Sequence, residues 1–390
     1  MFDKISDIFS GALAAEMVQK FSKDPASVLP DLIKEAEAKI YAFENTTVRI
    51  ALAGPSGRGK SSLINAIAGD PDLAPVGETE TTSERKMYPT KQGLLLEDMP
   101  GCGTAAWPSQ TYAEKVELKE CDAIVLVMGE RVTEDDIMLF TVVQENKIPC
   151  FIVRTKIDNA IQAASRRGIS EAEVIGTITQ DIRNRLSLTD HKEVYMISNW
   201  DPQKFDLADL VEDISEALSG IKKSKFIATS AAYTKAALKK KRPVIEEIAS
   251  YYAWASAAGG LIPIPGVSFM ADIGILTKLS HQILSFYGLT ESHLKSIHGQ
   301  STLMGAVQGA GKFAAQYATQ AGITQLLKTL AGVATAETIK LIGGWLPLIG
   351  QAGSALIGYK MTNYFASNLI DGAEIQAGKI LDAVAEDQLG

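Results

Sequence analysis

The sequence predicts two parts of different class: a P-loop α/β domain on a mostly parallel sheet with helices on both faces, and an all-helical domain built from the N- and C-terminal segments. Three observations carry this. From Thr46 onward, short and almost wholly apolar runs alternate with polar helical stretches, the pattern of parallel strands buried on both faces. The first run leads straight into the glycine loop Gly54-Pro55-Ser56-Gly57-Arg58-Gly59-Lys60-Ser61, which opens a helical stretch. Beyond Ile221 no convincing strand remains, and the chain is rich in Ala, Gly and aliphatic residues in long helix-like stretches.

Residues 1–44 form the N-terminal helices. Phe2, Ile5, Phe9, Leu13, Met17 and Phe21 recur at intervals of three and four and build one apolar face, and a second pattern runs through Leu32, Ala36 and Ile40. Neither segment buries its face alone, so both are expected to pack on the helical domain. Residues 45–220 form the sheet domain, with strands expected at 48–53, 86–90, 94–97, 123–128, 149–154 and 194–197. Helices are expected from Lys60, near 110–119 and 133–144, and at 170–186 and 207–218. Residues 221–390 form the C-terminal helical domain, where Pro243 suits the first turn of a new helix.

A chain of 390 residues with 46% hydrophobic content supports two or three domains with sizeable cores. The net charge of -8 argues against a general nucleic-acid binder, so no nucleic-acid partner is expected. Cys102, Cys121 and Cys150 cannot all pair and match no metal spacing, which suggests a reducing, intracellular compartment. The four histidines form no ligand pattern. The first residues carry charges throughout and lack the apolar core of a secretory signal, and Phe2 stands where N-myristoylation needs glycine.

The strand–loop–helix context is what a phosphate-binding loop requires. Its glycines let backbone N–H groups turn toward a β-phosphate, and the following helix directs its positive end there. Lys60 would neutralise β- and γ-phosphate charge, Ser61 would ligate Mg²⁺, and Ser62 completes the loop's entry into the helix. Asp98-Met99-Pro100-Gly101 follows an apolar run and places a carboxylate near the magnesium, with the Gly101 N–H open to the γ-phosphate. Thr155-Lys156-Ile157-Asp158 follows another. Asp158 can accept from N1–H and the 2-amino group of guanine, a pair that adenine lacks, and Lys156 can cover the base. Ser198-Asn199 stands where a backbone N–H meets the guanine carbonyl. The ligands implied are GTP and GDP with Mg²⁺.

Gly77–Ser83 is placed as the switch loop whose threonine completes the magnesium shell; Thr79, Thr81 and Thr82 all compete for that role. No glutamine follows Gly101, and Cys102 and Gly103 stand there instead. Without that water-orienting group the monomer should hydrolyse slowly and take the missing function from a switch residue or a second subunit.

Several runs together resemble the immunity-related GTPases of the dynamin-like group. They are Glu80-Thr81-Thr82-Ser83-Glu84-Arg85 with Tyr88-Pro89, Asp98-Met99-Pro100-Gly101 with Tyr112, and Phe151–Asp158. Ser198-Asn199 with Phe205-Asp206-Leu207, Ile262–Gly266 and Phe286–Leu289 add to them. The resemblance covers roughly residues 46–294, and the P-loop is its most generic part. It implies a GTP hydrolase that self-associates through its nucleotide face, as a homodimer or higher oligomer, and works at membranes. It implies Thr82 as the magnesium-sensing threonine and Glu80 as the switch glutamate acting across a dimer. The tail, with Lys340–Gly350, is closer to the Ala/Gly-rich helical tails of bacterial membrane-associated GTPases, so an immune role is not implied.

The stretches 253–276 and 341–359 approach the length that spans a bilayer, yet Gly and Pro interrupt both. They fit buried helical hairpins better than membrane spans. Lys222, Lys223, Lys225, Lys239, Lys240, Lys241 and Arg242 could contact anionic headgroups at about 1 kcal/mol each, although such a run more often forms a solvated helix face. The expectation is therefore a cytoplasmic GTPase with peripheral membrane association. A regulatory switch that recruits a protein partner without remodelling membrane is the alternative.

Overall fold

The computed structural model describes residues 8, 11–55, 57–76, 85–102, 105–189, 193–198, 201–260, 267–297, 299, 301–333 and 350–389. The chain divides into two compact units, Thr46–Ala237 and a second made of Met1–Asn45 with Leu238–Gly390. Two helices come first, α1 (Gly11–Lys23) and α2 (Pro25–Asn45).

The unit of residues 46–237 is built on six strands: β1 (Val48–Ala53), β2 (Lys86–Pro89), β3 (Leu94–Asp98), β4 (Ala123–Met128), β5 (Cys150–Arg154) and β6 (Val194–Met196). Their order is β2-β3-β1-β4-β5-β6, and every pair is parallel except β2 with β3. That exception follows from the link between them. Residues 90–93 are too few for a crossover helix, so the chain must turn back on itself, and Gly93 (φ 86°) makes the turn. The sheet is thus mostly parallel, as expected, and carries one antiparallel edge.

Helices α3 (Lys60–Ala68), α4 (Ser109–Lys115), α5 (Glu134–Glu145), α6 (Ile157–Ser165), α7 (Glu171–Leu186), α8 (Leu207–Ala217) and α9 (Gly220–Thr229) cover the sheet. Strand alternation sends Val48, Ile50 and Leu52 into one core with Leu63, Ile64 and Ile67 of α3. Ala51 and Ala53 enter the opposite core with Tyr112, Leu139 and Val143. Both faces are therefore dry, which is why these strands read as continuous apolar runs.

Helices α6 and α9 have no counterpart in the sequence expectations. The expected break at residue 220 also differs from the structure, because Phe226 of α9 is fully buried in the core of Val48 and Leu94. The helix expected to reach Lys119 ends at Lys115, and after Glu117 turns to φ 50° a short 3-10 turn covers Leu118–Glu120.

Helices α10 (Lys235–Gly260), α11 (Val267–Phe286), α12 (Glu291–Ser296), α13 (Ser301–Ala318), α14 (Gln320–Val333) and α15 (Gly350–Leu389) complete the described residues. Pro243 lies inside α10 rather than in its first turn. The lost backbone bond is offset by burial of Leu238, Ile245 and Ile248 on the same helix. Within the helical unit, Leu29, Leu32 and Ala36 of α2 share a core with Trp254 and Ala257 of α10 and Tyr359 of α15. Phe21 of α1 meets the Trp254 ring edge-on at 6.0 Å. Glu44 accepts from Tyr252 Oη at 2.6 Å and Lys278 Nζ at 2.8 Å, so α2 is tied to α10 and α11.

Of the apolar stretch 253–276, residues 253–260 belong to α10 and 267–276 to α11, with Ala253, Trp254, Ala257, Ile273 and Leu276 buried, and residues 261–266 lie outside the described residues. Of the stretch 341–359, Ala355 and Tyr359 are buried and residues 341–349 lie outside the described residues. No helix among the described residues is long and apolar enough to cross a membrane.

Candidate functional site

β1 delivers the chain to the middle of the sheet, where it must turn sharply into α3. Gly54 (φ 144°) allows the turn, since a Cβ there would lie 2.4 Å from the Val127 carbonyl oxygen of β4. Gly59 (φ 80°) closes the loop as the N-cap of α3, and no side chain caps that end. A helix N-terminus in this condition presents N–H groups to an anion.

Lys60 is 4% exposed, and its Nζ donates to the carbonyl oxygens of Gly54 at 2.9 Å and Pro55 at 3.2 Å. It also lies 3.4 Å from Asp98 Oδ1. Burial pulls the Lys60 pKa down, and the Asp98 charge opposes the shift. Ser61 Oγ donates to Asp98 Oδ2 at 3.4 Å. Asp98 ends β3 opposite Leu52, and the Met99 N–H continues the ladder to the Leu52 carbonyl at 2.9 Å. Sheet register therefore brings the loop lysine, the loop serine and the strand-end carboxylate together. A serine hydroxyl beside a carboxylate is an oxygen donor set suited to a hard divalent cation. Gly101 follows Pro100, whose carbonyl accepts from the fully buried Tyr112 hydroxyl at 2.7 Å.

In the loop between β5 and α6, Thr155 Oγ1 donates to the Arg58 carbonyl at 2.5 Å, and Lys156 Nζ to the Gly57 carbonyl at 2.8 Å. Asp158 stands in the first turn of α6, and its Oδ1 is buried with no hydrogen-bond partner. Ser198 is buried, and its Oγ accepts from the Asp201 N–H at 3.2 Å. Ile197 N–H donates to the Arg154 carbonyl at 2.9 Å, which keeps these two loops adjacent. Asp206 Oδ2 accepts from Met196 N–H at 2.7 Å, and burial raises the Asp206 pKa.

Gly54, Pro55, Gly57, Arg58, Gly59, Lys60, Ser61, Ser62, Asp98, Gly101, Thr155, Lys156, Asp158 and Ser198 all lie at or just after the C-terminal ends of β1, β3, β5 and β6, in the following loops or in the first turns of α3 and α6. Ser56, Glu80, Thr82 and Asn199 lie outside the described residues.

Several side-chain pairings escaped the sequence reasoning. Arg58 turns its side chain to Asp136, Nη1 to Oδ1 at 2.7 Å. Glu97, wholly buried, accepts from Arg49 Nε and from Arg85 Nε, each at 2.8 Å, and Arg85 Nη1 reaches Glu117 at 2.8 Å. Arg154 donates to the Thr155 carbonyl, and burial pulls its pKa down. The Thr133–Asp136 spacing carries a helix-cap signal, but no local pattern announces its second partner.

The basic residues noted for lipid headgroups are largely committed elsewhere. Lys222 pairs with Asp122 at 2.7 Å and Lys223 with Glu216 at 2.6 Å, while Lys225 is buried. Lys241 is buried and donates to the Phe286 carbonyl at 2.9 Å. Arg242 is held by Glu246, Asp371 and Glu374. Within this run, Lys222 and Arg242 are paired with acids from distant positions and Lys223 with a nearer one.

The family model described as interferon-inducible GTPase matches residues 24–370. The chain is 27% identical over 281 residues to the mouse T-cell-specific guanine nucleotide triphosphate-binding protein 2, covering 69% of this chain and 67% of that protein. It is 27% identical over 284 residues to rat interferon-inducible GTPase 5, covering 70% and 61%. The match thus spans about two-thirds or less of these relatives' length. Among solved structures, the G domain of the Thermotoga maritima FeoB iron transporter aligns at 23% identity and a TM-score of 0.30, over 44% of this chain and 99% of that one.

Proposed function

The chain belongs to the interferon-inducible GTPase family, and from that premise we propose how its residues bind and hydrolyse GTP. One observation carries the assignment of the base: the buried, unpartnered Oδ1 of Asp158. A buried acceptor left unmade costs about 1–3 kcal/mol, and guanine N1–H and its amino group supply the missing donors. Lys156, already laid along the loop at Gly57, covers the base, and Ser198-Asn199 meets its carbonyl.

The backbone of Gly54–Ser61 with Ser62 cradles the phosphates. Lys60 exchanges the Gly54 and Pro55 carbonyls for phosphate oxygens, a stronger charge-assisted pairing. Ser61 and Asp98 would hold Mg²⁺, which would supply positive charge to the phosphates. Thr82 reports the γ-phosphate to the switch loop, and the Gly101 N–H meets the same phosphate. Displacement of a fluorescent GDP analogue tests this assignment. GTP and GDP should compete and ATP should not; equal competition by ATP would remove the role given to Asp158.

Hydrolysis needs a group that orients water. Cys102, at the position after Gly101, is 2% exposed and packed in the core of Tyr112, so its side chain is turned inward. We therefore assign that work to Glu80 acting across a homodimer formed through the nucleotide face. Specific activity should rise with protein concentration, and Glu80→Ala should abolish the rise. Peripheral membrane association is proposed from the resemblance to the dynamin-like group, not from the basic run. Liposome co-sedimentation with GDP and a non-hydrolysable GTP analogue tests it.

A second reading, recruitment of a protein partner without membrane remodelling, has one observation in its favour. A groove of about 440 Å³ lies between α4 and α5, lined by Gln110, Ile137, Met138, Thr141 and Val142. Its α4 wall is joined to Pro100 by Tyr112, beside the γ-phosphate position.

A further inference from the structure

We infer that Arg58 is a positioning residue that fixes the phosphate loop to α5 and to the base loop, so that its loss is felt as loss of bound nucleotide. The inference rests on the nucleotide site proposed above. Arg58 lies inside the loop, and its side chain forms a close pair with Asp136, Nη1 to Oδ1 at 2.7 Å. Both side chains are nearly dry, at 12% and 1% exposure.

The acceptor is built for this pairing. Asp136 is the third residue of the α5 capping box, and its Oδ2 accepts from both the Thr133 N–H and Oγ1 at 2.8 Å. That leaves Oδ1 for the guanidinium, and α5 is anchored through its own first turn. The path between the two is kept open by Gly129, where a Cβ would stand 2.9 Å from Arg58 Nε. Three separately placed residues, Thr133, Asp136 and Gly129, therefore accommodate one loop side chain.

The backbone of the same residue faces the base. The Arg58 carbonyl accepts from Thr155 Oγ1 at 2.5 Å, and the preceding Gly57 carbonyl accepts from Lys156 Nζ at 2.8 Å. Arg58 thus joins three elements: its side chain holds α5, its carbonyl holds the base loop, and its peptide is part of the phosphate cradle. A glycine loop of this kind has high conformational freedom, and holding it before binding reduces the ordering cost that bound nucleotide must offset. An arginine beside the phosphates could instead stabilise charge on the transferred phosphoryl group. Its pairing with a carboxylate that has two further donors argues against that use, because release would leave Asp136 buried without its cation.

The two roles separate in kinetics. The full chain is loaded with a fluorescent GDP analogue and chased with excess GDP, and hydrolysis of bound GTP is followed in a single turnover. Arg58→Met and Asp136→Asn should each speed release by about tenfold or more, and the double variant should release no faster than either single one, the mark of a coupled pair. Hydrolysis of bound GTP should fall by a smaller factor. Thr133→Ala removes the cap hydroxyl but keeps both partners, and should change release far less. Should Arg58→Met fail to fold, Arg58→Lys keeps the charge without the fork and should give an intermediate release rate. Unchanged release with slowed hydrolysis would overturn the inference, as would strictly additive effects in the double variant. A wild-type chain that retains no guanine nucleotide would instead overturn the site assignment itself.

Discussion

Lys156 Nζ donates to the Gly57 carbonyl at 2.8 Å, so the loop proposed to face the base is joined directly to the loop proposed to face the phosphates. Specificity and affinity are therefore not independent here. A change in one loop reaches the other through a single hydrogen bond, backed by the Thr155 contact to Arg58.

Asp158→Asn should weaken GDP binding by about a hundredfold, because the amide keeps one acceptor oxygen but loses the charge and turns an N–H donor toward a guanine donor. The new amide can donate to the 2-carbonyl of xanthine, so xanthosine diphosphate should gain affinity. Competition against a fluorescent GDP analogue reads both changes.

Tyr112→Phe should cost about 1 kcal/mol of stability, since the Pro100 carbonyl loses the buried donor that pins it. Chemical denaturation measures the loss. The substitution should also narrow the difference in affinity between GTP and GDP, as Gly101 follows Pro100 directly.

Glu97→Gln should destabilise the sheet unit by about 3 kcal/mol, because two partly buried guanidinium groups lose their shared carboxylate. Arg85 would keep its pair with Glu117. A lowered denaturation midpoint without loss of helical signal before unfolding would be the expected record.

Lys241 is buried in the helical unit, where desolvation pushes its pKa down to about 7. In the unfolded chain it keeps its proton to about pH 10.5, so between those values the unfolded state binds more protons. Stability should therefore rise with pH from about 7 toward 9.5, by at most about 1.4 kcal/mol per pH unit. Lys241→Met should flatten that slope in urea titrations.

Much of the sheet domain was legible because its signals are local. β1 and β4 are buried on both faces, so their limits coincide with the ends of apolar runs. The phosphate loop was readable because glycine is required where φ is positive, at Gly57 and Gly59 and most severely at Gly54. Helix α6 was not, because it starts from Lys156 at φ 56° without a side-chain cap, inside a stretch already read as a base loop. Helix α9 was placed in the wrong domain because its lysines mask a single decisive residue, Phe226.

The pairs that shape the site were beyond local reading. Arg58 and Asp136 are 78 residues apart, and Arg49 and Glu97 are 48 apart. No periodicity links such positions; only the strand order brings them together. The same holds for Arg242, whose partners Asp371 and Glu374 come from the far end of the chain.

Phosphate release from GTP and from ATP by the wild-type chain and by Lys60→Ala tests the central claim most directly. Release from GTP alone, lost in Lys60→Ala, is the predicted result. Equal release from ATP, or undiminished release by Lys60→Ala, would contradict it.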